Sequence, residues 1–347
     1  MPRRLSIPRS ALFTMLFLWA CHAGAAQPDT APYPNTEGFG VPFEKSEDWY
    51  RHCARVQRLA PQPAPPRPGK MRCDATDLYY QKRDQASTSA SEWRQVRTCA
   101  EASGDDAVLM MLHANGYGTA RDPDRAMYHA CRLTSAKAEM EGRVTYLATL
   151  PAADGQPFDL CDHVTSGRMG AVCAAIGEGR DARTRNARLE RFAANLPGKA
   201  RPSFARLRQA AAAFARTSAG EVDRSGTGGT GFALRYTGRR EEEFLETLLA
   251  AASGKLSRAG ARELAQLDRQ LIVEYRQVMT APSKQEHHPQ RIGYSTVERE
   301  AVRSSERAWL AYRDAWAPFI AAAGLRTDFT SVQAALTRQR IAQLKRI

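Results

Sequence analysis

No cysteine lies beyond Cys173: all seven (Cys21, Cys53, Cys73, Cys99, Cys131, Cys161 and Cys173) fall in the first half of the chain. None stands in Cys-x-x-Cys spacing, which argues against structural zinc. Long apolar runs are also missing. The run at residues 11–20 (ALFTMLFLWA) is too short for the ~20 residues of a bilayer-crossing helix, so no transmembrane helix is expected. The Gly-rich stretch at 225–231 (SGTGGTG) lacks the Gly-Lys-Ser/Thr ending and the preceding strand of a phosphate loop. It reads instead as the start or bend of a helix leading into residues 241–252. Adjacent His287 and His288 lack the i, i+4 geometry of a helical metal site and read as surface histidines. No nucleophile–base pair, metal triad or carboxylate pair stands at a recognisable spacing. No catalytic, cofactor-binding or metal-ligating residue is therefore assigned, and the chain is not read as an enzyme.

What is present begins with an export signal. Arg3, Arg4 and Arg9 precede the apolar run, and small residues follow through Ala25 and Ala26. This predicts a signal peptide over residues 1–26, cleaved after Ala25 or Ala26, and a periplasmic or secreted protein. A lipid anchor at Cys21 is the alternative, since Leu18-Trp19-Ala20-Cys21 looks like a poor lipobox. Either route takes Cys21 out of the thiol pool. Six cysteines remain, which in an oxidising compartment predicts three disulfides. Nearest-neighbour pairing is expected: Cys53–Cys73, Cys99–Cys131 and Cys161–Cys173. The net charge of +13 suits an acidic partner or an anionic envelope surface, and export argues against nucleic acid. The densest basic stretch, residues 185–216, sets eight Lys/Arg against Glu190 alone and reads as solvated helix faces.

The patterning predicts an all-α protein, with a disulfide-stapled, hairpin- or solenoid-like N-terminal region followed by a C-terminal helical bundle. Residues 27–45 read as an extended lead-in, 46–200 as the cysteine-bearing domain and 203–347 as the second domain. A helix is expected over 46–60 with Ser46 as N-cap, and then a proline-rich loop at 61–68 closed by Cys53–Cys73. An apolar run at 107–112 is stopped by Asn115-Gly116, and Asp122-Pro123 restarts a helix as N-cap and first position. Two helices with a turn at Ser166-Gly167 are expected over 158–195, with a polar loop at 177–184. Ser203 is the expected cap of the next helix, after Pro202. Ser257 is the expected cap of a helix whose Leu264, Leu267, Leu271, Tyr275 and Val278 form one stripe. Farther on, Trp309, Tyr312, Trp316, Phe319 and Ile320 share a helical face.

Two resemblances follow from these motifs. Residues 104–133, with Gly104-Asp105, Ala107, Leu112, Asn115-Gly116-Tyr117-Gly118, Asp122 and Ala126, resemble a Sel-one-like repeat, which implies an adaptor role. In the C-terminal half, LDRQLIVEYRQVM, ERAWLAYRD and LTRQRIAQL resemble, in order, three segments of the lysozyme inhibitor LprI-like domain of bacterial envelope proteins. That resemblance implies a protein partner, a lysozyme-like or other muralytic hydrolase. It singles out Trp309, Tyr312, Arg313, Asp314, Thr337, Arg338 and Arg340 as either interface residues or structural ones. The family commonly bridges two cysteines where this chain has Ala317 and Val332. A basic lysozyme would need an acidic patch, for which Glu241, Glu242, Glu243 and Glu246 form the best cluster. A periplasmic scaffold working through the repeat-like region is the alternative function.

Overall fold

The computed structural model describes residues 32–59, 73–150 and 156–347. The expected signal peptide, Cys21 and the proline-rich loop lie outside the described residues. Within them the chain is helical without strands, only isolated bridges occurring between 283 and 298. No helix among them is long and apolar enough to cross a membrane.

The N-terminal region is built from α1 (Asp48–Val56), α2 (Ala75–Arg83), α3 (Ala90–Ser103), α4 (Asp106–Asn115), α5 (Pro123–Ala130) and α6 (Lys137–Ala148). The α4–α5 hairpin follows from its end chemistry. Asp105 caps α4, and Gly116, at φ +72°, ends it in the left-handed conformation that glycine takes without a Cβ penalty. Asp122 accepts a hydrogen bond from the Arg125 amide, and Pro123 opens α5. Between these ends the middle of α4 is apolar and internal, with Val108, Met110, Met111 and Leu112 at 0 % exposure. The lead-in is not free either. The Asn35 amide donates to the Cys131 carbonyl at 2.8 Å, and Phe39 packs at its edge of the core.

Three disulfides staple this region, but two pair differently from the nearest-neighbour expectation. Cys53 bonds Cys131, Cys73 bonds Cys99, and Cys161 bonds Cys173 as expected. The reason is packing. α1 lies on α5 and α6, so Cys53 faces the end of α5 inside the core, and Cys73, just ahead of α2, faces α3. The loop at 61–68 is thus not closed by a Cys53–Cys73 bridge.

One long helix replaces the two expected over 158–195. α7 (Gly167–Ala194) runs unbroken through residues 177–184, with Ser166 as its N-cap. Glycine there is tolerated because neighbours grip the polar face. Arg180 and Arg183 pair with Asp84, and Arg185 with Glu178 and Glu241. α7 also packs closely on α9, where a side chain at Gly238 would collide with the Glu178 carboxylate.

The C-terminal region comprises α8 (Arg201–Ser218), α9 (Gly229–Ser253), α10 (Ala261–Thr280), α11 (Arg299–Asp314), α12 (Trp316–Ala323) and α13 (Phe329–Leu344). The 225–231 stretch does lead into a helix, α9. Three expected caps are displaced. Ser46 and Ser257 lie outside α1 and α10, and Ser203 sits in the first turn of α8, its hydroxyl donating to the Ala200 carbonyl. The second core gathers Phe204, Phe214, Phe244, Trp309, Tyr312, Trp316 and Phe319 from α8, α9, α11 and α12. Val332 is fully buried and Ala317 half-buried.

Candidate protein-binding face of the C-terminal region

The motif residues divide into an inner and an outer set. Trp309, Tyr312, Thr337 and Arg340 are buried. Burial at these positions follows from helical spacing: on α11, Val302, Ser305, Trp309 and Tyr312 form the inward stripe. Arg313, Asp314 and Arg338 lie at or near the surface.

Arg340 is the centre of the inner set. Its Nη1 and Nη2 donate to Glu221 at 2.9 and 2.6 Å, and its Nε donates to Glu306 at 2.8 Å. Both the Arg340 and the Glu221 side chains are 0 % exposed. Gln343 extends the network, donating to Glu243, which pairs with Arg240. Burial pulls the Arg340 guanidinium down, but the hydrogen bonds and charges of Glu221 and Glu306 outweigh it and hold it above its ordinary range. Burial pushes the Glu243 carboxyl up against the opposing charge of Arg240. The network ties α9, α11, α13 and the turn at Ala219–Glu221 together. Enclosed charges of this kind hold elements in register and cannot meet a partner molecule. Sequence reading missed Glu221, Arg240 and Glu306 and placed Glu243 in a surface acidic cluster, because a charged side chain destined for the interior carries no local mark of it.

The outer set frames α10, which is clipped across α13 and α11 by its acids. Glu263 pairs with Arg338, Asp268 with Arg313 at 3.8 Å, and Glu274 with Lys345 at 3.4 Å. Arg313 also lies over the Trp309 ring, 5.0 Å from its centroid, and 3.5 Å from Asp314. The apolar stripe turns inward, with Leu271 buried and Leu264, Leu267, Tyr275 and Val278 half-buried. The opposite side holds Arg262, Arg269 and Arg276, all exposed, and among the described residues no carboxylate lies within ion-pair distance of them. Between them Ile272 and Val273 are 48 % and 50 % exposed.

The expected acidic cluster is already engaged. Glu241 pairs with Arg185 at 2.8 Å, Glu242 with Arg188 at 3.1 Å and Glu243 with Arg240 at 2.7 Å. Glu246 alone of the four faces solvent and, among the described residues, has no ion-pair partner. His287 and His288 are exposed in the loop after α10. Among the described residues no group of three or more His, Cys, Asp or Glu side chains could hold a metal ion.

Searches of curated proteins and of solved structures find no match to this chain. A family model does match, over residues 250–344. It takes in the end of α9 and all of α10 to α13, and leaves out α8 and Glu221. The C-terminal part of the chain thus carries the domain of the family described as lysozyme inhibitor LprI.

Proposed function

We propose that this is an exported bacterial envelope protein that binds a lysozyme or another muralytic enzyme and inhibits it. The observation that carries the reading is the LprI match over residues 250–344. The three disulfides support an oxidising compartment, periplasmic or extracellular. The outer residues Arg313, Asp314 and Arg338 border the surface through which a partner is met. Trp309, Tyr312, Thr337 and Arg340 serve by holding that surface rigid.

The test is lysis of a cell-wall substrate by a panel of muralytic enzymes, with and without the purified mature protein. Saturable inhibition of at least one enzyme is expected. No inhibition and no binding across the panel would overturn the reading. A scaffold role through the α4–α5 hairpin would then take its place, supported by that hairpin's stacking between α1, α3 and α6. Crosslinking in the envelope would recover a defined partner that is not a hydrolase.

A further inference from the structure

We infer that the outward face of α10 is the inhibitory element, a convex plug seated in the carboxylate-lined substrate cleft of a glycan-cleaving muralytic enzyme. The inference rests on the inhibitor reading above and deepens it by assigning the face and the target site.

Three observations on α10 carry it. First, the helix is sorted by charge: its acids Glu263, Asp268 and Glu274 all turn to basic groups of the bundle, while Arg262, Arg269 and Arg276 all turn outward. The arginines recur every seven residues, two turns apart, so they form one line with steps of about 10.5 Å. Second, Ile272 and Val273 protrude between Arg269 and Arg276. A pair of branched apolar side chains flanked by arginines has the composition of an interface centre, where desolvated anchors and Arg dominate the binding energy. Third, α10 packs chiefly on α13, which leaves this side convex and unpartnered among the described elements.

The chemistry of the target supplies the complement. Enzymes that cleave glycosidic bonds commonly place two Asp/Glu carboxyl groups about 5–9.5 Å apart in the substrate cleft. Arg269 or Arg276 entering such a cleft meets an ionised carboxylate with charge-assisted hydrogen bonds, while Ile272 and Val273 fill the sugar-binding trough. This also resolves the charge difficulty. A lysozyme that is basic overall still carries acid in its cleft, so the paired-off Glu241–Glu243 cluster is not needed for attraction.

A second basic surface competes for the role. The groove of about 800 Å³ between α7 and α8 is floored by Ala193, Ala194 and Phe204. Exposed Arg201 lines it, beside the Arg208–Glu190 ion pair, and among the described residues Arg201 has no ion-pair partner. The groove is concave, so it cannot enter a cleft, whereas α10 can.

The experiment uses an enzyme found inhibited in the lysis panel and a soluble oligosaccharide substrate. Inhibition by the full mature protein should be competitive. Arg269→Glu with Arg276→Glu, and separately Ile272→Asp, should each weaken inhibition at least about 30-fold. Arg201→Glu, in the groove, should change it less than about threefold. All these positions are exposed, and unchanged circular dichroism spectra verify folding. Wild-type inhibition that is noncompetitive, or that survives the α10 variants, overturns the inference and leaves the inhibitor reading standing. Loss of inhibition through Arg201→Glu assigns the groove instead. Absence of wild-type inhibition overturns the function itself, and the inference with it.

Discussion

The two regions of this molecule hold themselves together by different means. Around α1–α6, three disulfides cross-link helices whose core is Trp, Tyr, Met and Val. In α8–α13 there is no disulfide, and the interior instead contains aromatic rings around a buried ionic network on Arg340. A disulfide stabilises chiefly by restricting the unfolded chain. A satisfied buried network acts in the folded state, where it penalises any packing that separates its members. The contrast suits the inferred roles: the cross-linked part resists harsh surroundings, and the networked part fixes the orientation of an inhibitory face.

Reduction should produce the largest separation between the regions. Cys53–Cys131 spans 78 residues, which corresponds to about 4.5 kcal/mol of loop entropy. Peptide-resolved hydrogen exchange in reductant should show α1–α6 losing protection while α8–α13 keep theirs. Equal loss in both would break the comparison. Next in size, Arg340→Met strands Glu221 in the core and should cost about 3–5 kcal/mol in a denaturant titration. Replacing Arg340, Glu221 and Glu306 together by Leu should cost less than that single change, because no unpaired charge is left behind. A triple variant costing more would mean that the network supplies net stability as well as register.

The smallest effect separates the regions by pH. Burial, reinforced by the nearby His129 ring and Arg charges, holds His113 down to about 4, whereas in the unfolded chain it titrates near 6.5. Between those values the unfolded chain binds the extra proton, so stability is full above pH 6.5 and falls as the pH drops toward 4. The loss should be about 1–3 kcal/mol, confined to the N-terminal region and reduced in His113→Gln. Melting curves followed by hydrogen exchange at pH 7 and pH 5 measure it.

Much of this architecture was legible in local chemistry. The α4–α5 hairpin was readable because Gly116, Asp122 and Pro123 act within a turn of the backbone they govern. The inward stripe of Trp309, Tyr312, Trp316 and Phe319 was readable from its period. The disulfide pairing was not, since it depends on α1 lying over α5, a contact between distant segments. Continuity of α7 was hidden for a similar reason. Residues 177–184 look like a loop in isolation and become helical where Asp84, Glu241 and Gly238 come from elsewhere. The α10 face was half legible. Its inward stripe was plain in sequence, but the fact that its acids are spent and its arginines free required the positions of Arg313, Arg338 and Lys345.

The unbroken course of α7 has a mechanical meaning. Its 28 residues make a rod about 42 Å long. Met169 and Ile176, near its start, pack in the first core, and Leu189 and Phe192, near its end, in the second. Cys173 also fastens the rod covalently to the segment ahead of it. Two bodies that share a beam in this way have no hinge between them. A load on one half is delivered to the other as a turn of the whole bracket, and anything gripping the stapled end would feel it.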